Sequence, residues 1–467
     1  MIRFKKISHE ILIYGLGSIF IKLQSFVLLP LFTRLLSKED FGRYEFLLSF
    51  HAIILVFCLL QLESSFSRFY YSYDGIFFSN FQHTIFYSVL IFSISVCLIL
   101  YLILYYNTTI FFADSSNYKS MVYILLSLPF FAQNSLSLVQ MRFSGHKWLF
   151  LWSQLINFSI STTIIIYFFL FKNSPKVEYI FLGTFLGICS TQIIIWSKLN
   201  FFSGRLNYTY LINALKHSLP TVPAVFSSVL NNHVSRIIIF GSLTLIDLGI
   251  YGFSLKLASI FLILGAVFRN IWPQFFWQLF HENPGHKKIL IAIESMLVSS
   301  ILILFTIFLF LDDILVVFFG GSHFLEALIY IPAISVGFII QSTLHQIVYI
   351  GPSIKSKTIY NTYIQLIVLI VNVGIIYFTI NDYKLMGITI AFLCSSLVNY
   401  CISIFVSEKL YPVGFNYKYT FLCLLTMISL SLLEHIHYFL FLFTTVIVLL
   451  LTIFKLRKQI EKISTFF

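Results

Sequence analysis

Charged residues are scarce in this sequence. Only 10% of its 467 residues are Asp, Glu, Lys or Arg, whereas 59% are hydrophobic. Soluble domains carry about 25% charged residues, so this composition excludes a soluble fold and indicates a polytopic membrane protein. The polar connections are also short, at most about 20 residues, which is too few for a folded domain outside the membrane. An enzyme that needs a soluble catalytic domain is therefore disfavoured.

Acidic residues are also few, and the sequence has neither a CxxC pair nor a phosphate-binding loop motif. The chain has 18 acidic residues against 30 Lys and Arg, a net charge of +12. Because the cations fall in short loops between apolar runs, the positive-inside rule explains them, and we expect no nucleic-acid partner. All six cysteines lie in apolar runs without a CxxC pair, and no GxxxxGK[ST] occurs. We therefore expect no disulfide framework, no metal site and no bound cofactor.

Long apolar runs are what the sequence does contain. About fourteen of them reach the roughly 20 residues that a transmembrane helix needs. They predict an all-α polytopic membrane protein with two six-helix bundles in a pseudo-twofold parallel repeat, followed by two C-terminal helices. The number of spans falls to twelve if the last pair is not counted. The predicted division is 1–199 for the N-terminal lobe, 200–216 for a cytoplasmic linker, 217–410 for the C-terminal lobe, and 411–467 for the extra pair with a basic cytoplasmic tail.

The orientation of the chain follows from the distribution of Lys and Arg. Most of them fall on the side that holds the N-terminus, including the basic stretches at 1–10 and 455–462. Cytoplasmic loops carry this excess of positive charge. We therefore predict a multi-pass protein of the inner (plasma) membrane with both termini in the cytoplasm, its first apolar run retained as a helix.

A short motif occurs twice in the chain. Asp40–Phe46 (D-F-G-R-Y-E-F) is matched by Asp247–Phe253 (D-L-G-I-Y-G-F), at an offset of 207 residues. The first copy belongs to a predicted charged turn, Ser37–Tyr44, that joins the first two transmembrane helices. An even number of spans separates the copies, so the two halves are related in parallel. Two facing bundles are a transporter architecture, with the substrate route expected between them.

The opening residues carry a resemblance to a known family. Y-G-L-G-S and L-L-P-L-F-T-R-L-L-S-K-E-D-F-G-R-Y, within residues 14–44, resemble the N-terminus of Wzx-type polysaccharide flippases. These flippases belong to the multidrug/oligosaccharidyl-lipid/polysaccharide (MOP) exporter superfamily. Residues 63–70 (E-S-S-F-S-R-F-Y) and 271–275 (I-W-P-Q-F) look like later motifs of the same family. One departure concerns helix seven, where many members have Asp-Arg and this chain has Ser235-Arg236.

The resemblance implies a function and partners. A Wzx-type protein would move an undecaprenyl-diphosphate-linked oligosaccharide, such as an O-antigen unit for lipopolysaccharide biosynthesis, to the periplasmic leaflet by alternating access. Its surroundings would be the lipid bilayer, and its partners would include a polysaccharide polymerase and a chain-length regulator. It would be a transporter rather than an enzyme, with no catalytic residues.

Lys22 is the first candidate for function because it lies near the middle of the first apolar run. With Ser18 and Ser25 it forms one polar stripe of the predicted helix. A charge at the centre of a bilayer costs roughly 2.5 to 3.5 kcal/mol on insertion scales, so such residues usually face a water-filled cavity or a partner. Two interpretations stay open: a cavity for the substrate anion, or an ion pair with Glu63 or Glu294.

Five further cations complete the predicted substrate-binding set, namely Arg34, Arg68, Arg236, Lys256 and Arg269. Arg68 and Arg269 fall near the cytoplasmic ends of helices two and eight, where an arginine can also simply snorkel. Arg34 and Arg236 fall near the outer ends of helices one and seven. They are expected either to receive the anion or to pair with the aspartate of the neighbouring D-x-G-x-Y motif. Lys256 enters helix eight from the outer side.

Two acids are candidates for coupling transport to a proton or a cation. These are Glu294, early in helix nine, and Glu63, near the end of helix two. A salt bridge to a neighbouring cation is the alternative explanation. The rival function is a MATE-like multidrug or cation antiporter, which should have an acidic cavity, whereas here the cations within the helices outnumber these acids. A membrane-bound polymerase or ligase should have a long periplasmic loop, and none occurs.

Overall fold

The structure is a computed structural model, which describes residues 17, 24–106, 115–172, 174–199, 204–262, 304, 324–341, 348–349, 351–355, 357, 359–412, 421, 423–426 and 428. The described part of the chain is helical and contains no β-strand. The predicted all-α fold is confirmed. The chain divides into two compact units, Met1–Gly249 and Ile250–Phe467.

The first unit holds most of the described helices. They are α1 (Leu29–Leu35), α2 (Lys38–Leu59), α3 (Leu62–Phe69), α4 (Gly75–Tyr106), α5 (Ser115–Phe143), α6 (Lys147–Ile166, continued by a π-helical turn at Tyr167–Phe171), α7 (Val177–Lys198), α8 (Tyr208–Ser218) and α9 (Val222–Ser242, preceded by a 3-10 turn at Leu219–Thr221). α10 (Leu245–Ala258) leads from the first unit into the second. α9 belongs to this first unit although the sequence assigns it to the C-terminal lobe, so the division into lobes stays a prediction.

The second unit is described in part. It contains a 3-10 turn at Leu325–Tyr330, α11 (Ile331–Ile339), α12 (Gly351–Ile354) and α13 (Ile359–Leu410). Among the described residues of the whole chain, seven helical segments are long and apolar enough to cross a membrane: Lys38–Leu59, Gly75–Tyr106, Tyr118–Phe143, Lys147–Phe171, Val177–Lys198, Leu245–Leu262 and Ile359–Leu410. α9 is more polar than these seven because it carries Asn231, Asn232, His233 and Arg236.

The D-x-G-x-Y motif starts a helix in both of its copies. Ser37 Oγ accepts a hydrogen bond from the backbone N–H of Asp40 (3.0 Å) and donates to the Asp40 carboxylate (2.8 Å). Thr244 and Asp247 form the equivalent pair at the start of α10, with Thr244 Oγ1 accepting from the Asp247 N–H (3.1 Å). Such capping boxes satisfy backbone N–H groups that a helix start leaves without partners. The predicted turn at Ser37–Tyr44 is therefore wrong, since Lys38–Tyr44 forms the first turns of α2.

The second predicted helix, 44–66, is divided in the structure. α2 ends at Leu59, Leu60 and Gln61 adopt left-handed conformations (φ 46° and 57°), and α3 begins at Leu62. The sequence has no Gly or Pro at this break, so the usual helix-breaking signal is missing there. The break separates Glu63 and Arg68 from the membrane-crossing helix.

α13 has a break at Lys384. Its φ of 44° and ψ of −123° are non-helical, and they lie between the predicted helices 359–380 and 385–407. This conformation suits glycine, because any Cβ crowds the backbone there. Lys384→Gly is therefore expected to stabilise the protein by about 1 kcal/mol, measured as a higher thermal unfolding temperature in detergent. Asp382→Gly, in regular helix two residues earlier, should have the opposite effect, and equal effects would contradict the assignment of strain to Lys384.

The linker between the predicted lobes is attached to the first unit. The backbone N–H of Arg205 donates to Asn80 Oδ1 (2.6 Å), and that of Asn207 donates to Thr84 Oγ1 (3.0 Å). Further along, Ser65 Oγ of α3 donates to the carbonyl oxygen of Ala214 in α8 (2.6 Å). α8 is thus fixed to α3 and α4 rather than hanging as a free connection.

Candidate functional site

α2 and α9 pack against each other in antiparallel fashion along most of their length. Phe57 contacts Phe226 at one end (ring centroids 5.3 Å apart), and Phe46 stacks on Phe240 near the other (3.8 Å). The polar side chains of both helices meet between these aromatic contacts. Helix periodicity places Gly42, Glu45 and Ser49 on one face of α2.

Gly42 brings the start of α2 against the start of α10. A Cβ on Gly42 would overlap the carbonyl oxygen of Leu245, and a Cβ on Gly249 would overlap that of Lys38. The contact is reciprocal, because Lys38 and Leu245 are related by the same 207-residue offset as Gly42 and Gly249. Small residues allow such close helix approach in membranes. The repeated motif therefore contains a capping acid and a contact glycine, and its tyrosines, Tyr44 and Tyr251, are both buried.

Arg236 forms an ion pair with Glu45 across the α2–α9 interface. Its Nε lies 3.0 Å from Glu45 Oε2, and the two side chains are 14% and 1% exposed. This pairing replaces the one expected with the motif aspartate: Asp247 instead accepts from Thr244, and Asp40 pairs with Arg43 at 3.6 Å. Ser235, beside Arg236, is buried. Glu45 thus supplies the carboxylate next to Arg236 that residue 235 lacks.

His233 and Ser49 extend this polar cluster by one helical turn. Arg236 Nη1 donates to His233 Nδ1 (3.0 Å), and His233 Nδ1 also lies 3.1 Å from Ser49 Oγ. Since a guanidinium can only donate, His233 accepts at Nδ1 and its ring is neutral with the proton on Nε2. Ser49 Oγ is within 2.9 Å of the Glu45 carbonyl oxygen, to which it donates. We call Glu45, Ser49, His233 and Arg236 the outer cluster, after the predicted orientation of the chain.

Arg68 lies in a second polar cluster, formed by α3 and α8. Its Nη1 donates to His217 Nδ1 (3.3 Å), and its guanidinium lies 6.0 Å from the ring centre of Phe69. Burial and the positive charge of Arg68 lower the pKa of His217, in agreement with a neutral ring that accepts the bond. Arg68 itself is exposed. His217 therefore orients an arginine whose charge remains available to an anion.

The two arginines are far apart. His217 precedes α9, while Arg236 lies fourteen residues beyond Val222, the first residue of that helix. At 1.5 Å per residue this is roughly 20 Å along the helix axis, which is most of the thickness of a bilayer core. The structure therefore does not bring Arg68 and Arg236 into one pocket. It places one cation toward each end of the first unit.

The remaining predicted site residues are distributed over both units. Arg34 lies exposed in the last turn of α1, and Glu63 lies half-buried in the first turn of α3, where burial raises the pKa of its carboxyl against the opposing charge of Arg142. Lys256 is half-buried in the last turn of α10, in the second unit. Lys22, Arg269 and Glu294 fall outside the described residues, so their roles stay predictions.

Sequence reasoning missed Glu45, His233 and His217. Glu45 gave little signal of its own, because it closely follows the charged segment Lys38–Arg43 and could be counted with it. One signal was the repeat, in which the residue equivalent to Glu45 is Gly252. The two histidines gave no comparable signal, since only the helix packing shows that each one receives a hydrogen bond from an arginine.

The fold is that of transporters of the MOP superfamily. The chain is similar to the solved structure of the lipid II flippase MurJ in an inward closed conformation, with a TM-score of 0.71 at 15% identity over 97% of this chain and 99% of that one. It is also similar to an inward-facing multidrug resistance MATE family transporter, with a TM-score of 0.60 at 14% identity over 84% of this chain and 96% of that one. A third similar structure is that of the Vibrio cholerae MATE transporter VcmN, with a TM-score of 0.54 at 11% identity over 87% of this chain and 96% of that one.

The sequence also identifies the family to which the chain belongs within this class of membrane proteins. The profile of the polysaccharide biosynthesis protein family matches residues 7–275, which is more than half of the chain. The protein therefore belongs to the polysaccharide biosynthesis protein family, and the resemblance to polysaccharide exporters of the MOP superfamily is confirmed. A comparison with curated protein sequences finds no match.

Proposed function

We propose that the protein is a flippase that moves an undecaprenyl-diphosphate-linked oligosaccharide, such as an O-antigen repeat unit, from the cytoplasmic to the periplasmic leaflet by alternating access. The proposal is supported by the polysaccharide biosynthesis family and by the fold shared with a lipid II flippase. The observation that carries it is the placement of an arginine toward each end of the first unit, each held by a neutral histidine.

Two separated arginines suit the transport of a diphosphate. Phosphate oxygens are recognised well by the planar guanidinium fork, and a cationic path replaces the hydration that the diphosphate loses in the membrane. Arg68 would meet the headgroup at the cytoplasmic side, and Arg236 would meet it before release. An inside-negative potential helps the step, by about 2.3 kcal/mol per charge per 100 mV. Lys22, Arg34, Lys256 and Arg269 complete the proposed substrate path.

The protein would be a transporter rather than an enzyme and would lie in the inner membrane with both termini in the cytoplasm. The lobes at 1–199 and 217–410 would move about the linker at 200–216, with the extra pair and tail at 411–467. Glu63 and Glu294 remain the proposed coupling acids, and a polymerase and a chain-length regulator remain proposed partners.

The alternative, a MATE-like cation antiporter, shares the fold but receives less support from the site. A cation substrate would need an acid that is open to it. Glu45 is 1% exposed and paired with Arg236. At the α2–α9 interface, Arg236 and not Glu45 is therefore the group placed to meet a ligand.

Complementation tests the proposed function. The wild-type gene, expressed in a flippase-null strain that makes a defined O-antigen, is expected to restore surface polysaccharide. Lys22→Ala, Arg68→Ala and Arg269→Ala should each reduce the restored amount by about tenfold, because each removes a cation from the path of the diphosphate. Lys198→Ala, which removes an exposed cation at the end of α7, is the matched control. If all three variants restore polysaccharide as well as the control does, the cationic path is wrong.

A further inference from the structure

Glu45 is a buried acid for which the proposed transport cycle has given no role. It lies two helical turns after the start of α2, is 1% exposed, and has its carboxylate 3.0 Å from the Nε of Arg236. A carboxylate in such a place is costly unless it is paired. The copy of the motif in α10 has Gly252 at the equivalent position, so the repeat itself does not require an acid there.

The guanidinium of Arg236 is occupied on one side only. Nε lies 3.0 Å from Glu45 Oε2 in an ion pair without forming a hydrogen bond, and Nη1 donates to His233 Nδ1 (3.0 Å) and to the backbone oxygen of Asn232 (3.3 Å). Within the described parts of both helices, Nη2 has no protein partner. The side chain is 14% exposed, so this edge can be reached from outside the α2–α9 interface. Histidine and backbone hold the fork in one orientation, with two N–H groups presented to an incoming acceptor.

The geometry points to Glu45 as an internal counter-ion that competes with a substrate phosphate for Arg236 and so makes binding at the outer cluster weak and release fast. The inference rests on the proposed flippase function and deepens it. Carboxylate and phosphate are recognised by the same guanidinium hydrogen bonds. A phosphate at the Nη2 edge would share the charge of Arg236 with Glu45 and would be repelled by that carboxylate. Glu45 thus acts through Arg236 and is a positioning residue for release.

Weak binding at this point is useful to a transporter. A lipid-linked diphosphate held tightly by an unopposed arginine would stay bound, and turnover would fall although affinity rose. Removing the carboxylate charge while keeping its shape should therefore raise affinity and lower turnover together. A residue that merely stabilised the fold would lower both.

The test uses the purified protein reconstituted in liposomes with fluorescent undecaprenyl diphosphate as the probe. Affinity is measured with inorganic pyrophosphate as competitor, and flipping is measured by the fraction of probe accessible from outside. Glu45→Gln is expected to tighten binding at least about tenfold and to slow flipping by a similar factor. The gain in affinity should disappear in the double variant Glu45→Gln/Arg236→Gln. Glu178→Gln, a buried acid at the start of α7, is the matched control and should leave both quantities unchanged.

The outcomes separate this inference from the proposed function. If the wild type neither binds nor flips the probe, the flippase proposal fails and the role of Glu45 fails with it. If the wild type flips the probe and Glu45→Gln binds no more tightly, only the inference is overturned. Should Glu45→Gln not fold, Glu45→Asp replaces it: the shorter stem draws the carboxylate away from Arg236, and a smaller increase in affinity is expected. Unchanged or weaker binding by a folded Glu45→Asp protein would then overturn the inference.

Discussion

Replacing Gly42 with leucine is expected to abolish transport. Even a Cβ at this position would overlap the carbonyl oxygen of Leu245, so the starts of α2 and α10 would have to separate. Overpacking of this kind typically lowers stability by roughly 1 to 3 kcal/mol, and the branched leucine side chain pushes the two helices further apart than a Cβ alone would. The reciprocal variant Gly249→Leu should have the same effect, because its Cβ would meet the Lys38 carbonyl.

Complementation measures this result, with the amount of protein in the membrane checked by immunoblot. Gly241→Leu in α9 is the control, since a Cβ on Gly241 meets nothing within 4 Å. Gly42→Ala should retain more transport than Gly42→Leu, because the smaller side chain requires a smaller shift. Full transport by Gly42→Leu at a normal protein level would show that the close approach of the two helices is dispensable.

Replacing Arg236 with methionine is expected to destabilise the protein more than any other single change discussed. The variant removes the Arg236 cation from the buried carboxylate of Glu45, and removing one partner of a buried pair typically costs about 3 to 5 kcal/mol. Methionine keeps much of the volume of the arginine stem, so packing against α2 changes little. The expected result is a clear fall in the thermal unfolding temperature in detergent.

A double variant distinguishes two possible causes of the lost stability, the unpaired charge and the altered packing. In the double variant Glu45→Gln/Arg236→Met neither charge remains, so most of the lost stability should return. Transport should not return, because the proposed phosphate contact needs the guanidinium. A double variant as unstable as Arg236→Met alone would mean that the buried charge is not the cause of the loss.

The sequence predicted the class of fold better than the detail of the site. Hydropathy was sufficient to predict an all-α membrane protein and to divide residues 359–407 into two helices near Lys384. Both predictions depend on long averages over apolar side chains. Hydropathy failed at Ser37–Tyr44, where Gly and charged residues were interpreted as a turn. There the glycine serves close packing, and the serine and aspartate cap a helix.

The candidate site shows the same limit. Arg236 was identified from its own charge, since a cation in an apolar helix is a signal that one chain segment contains. Its partner was not, because Glu45 is 191 positions away and only the packing of α2 on α9 brings the two together. The orienting histidines depend on the same packing. Lys22 remains the first sequence-based candidate, and it lies outside the described residues.

The contact between the two D-x-G-x-Y motifs also bears on how the chain could have evolved. A patch that touches its own copy is what a half-length ancestor would use to pair two identical subunits. After fusion of the two genes, a substitution at Gly42 or Gly249 would still be tested against the other copy, so these positions cannot diverge independently. Glu45 and Gly252 lie one turn beyond that constraint. A fused chain would therefore be free to become asymmetric there, which a symmetric dimer could not do.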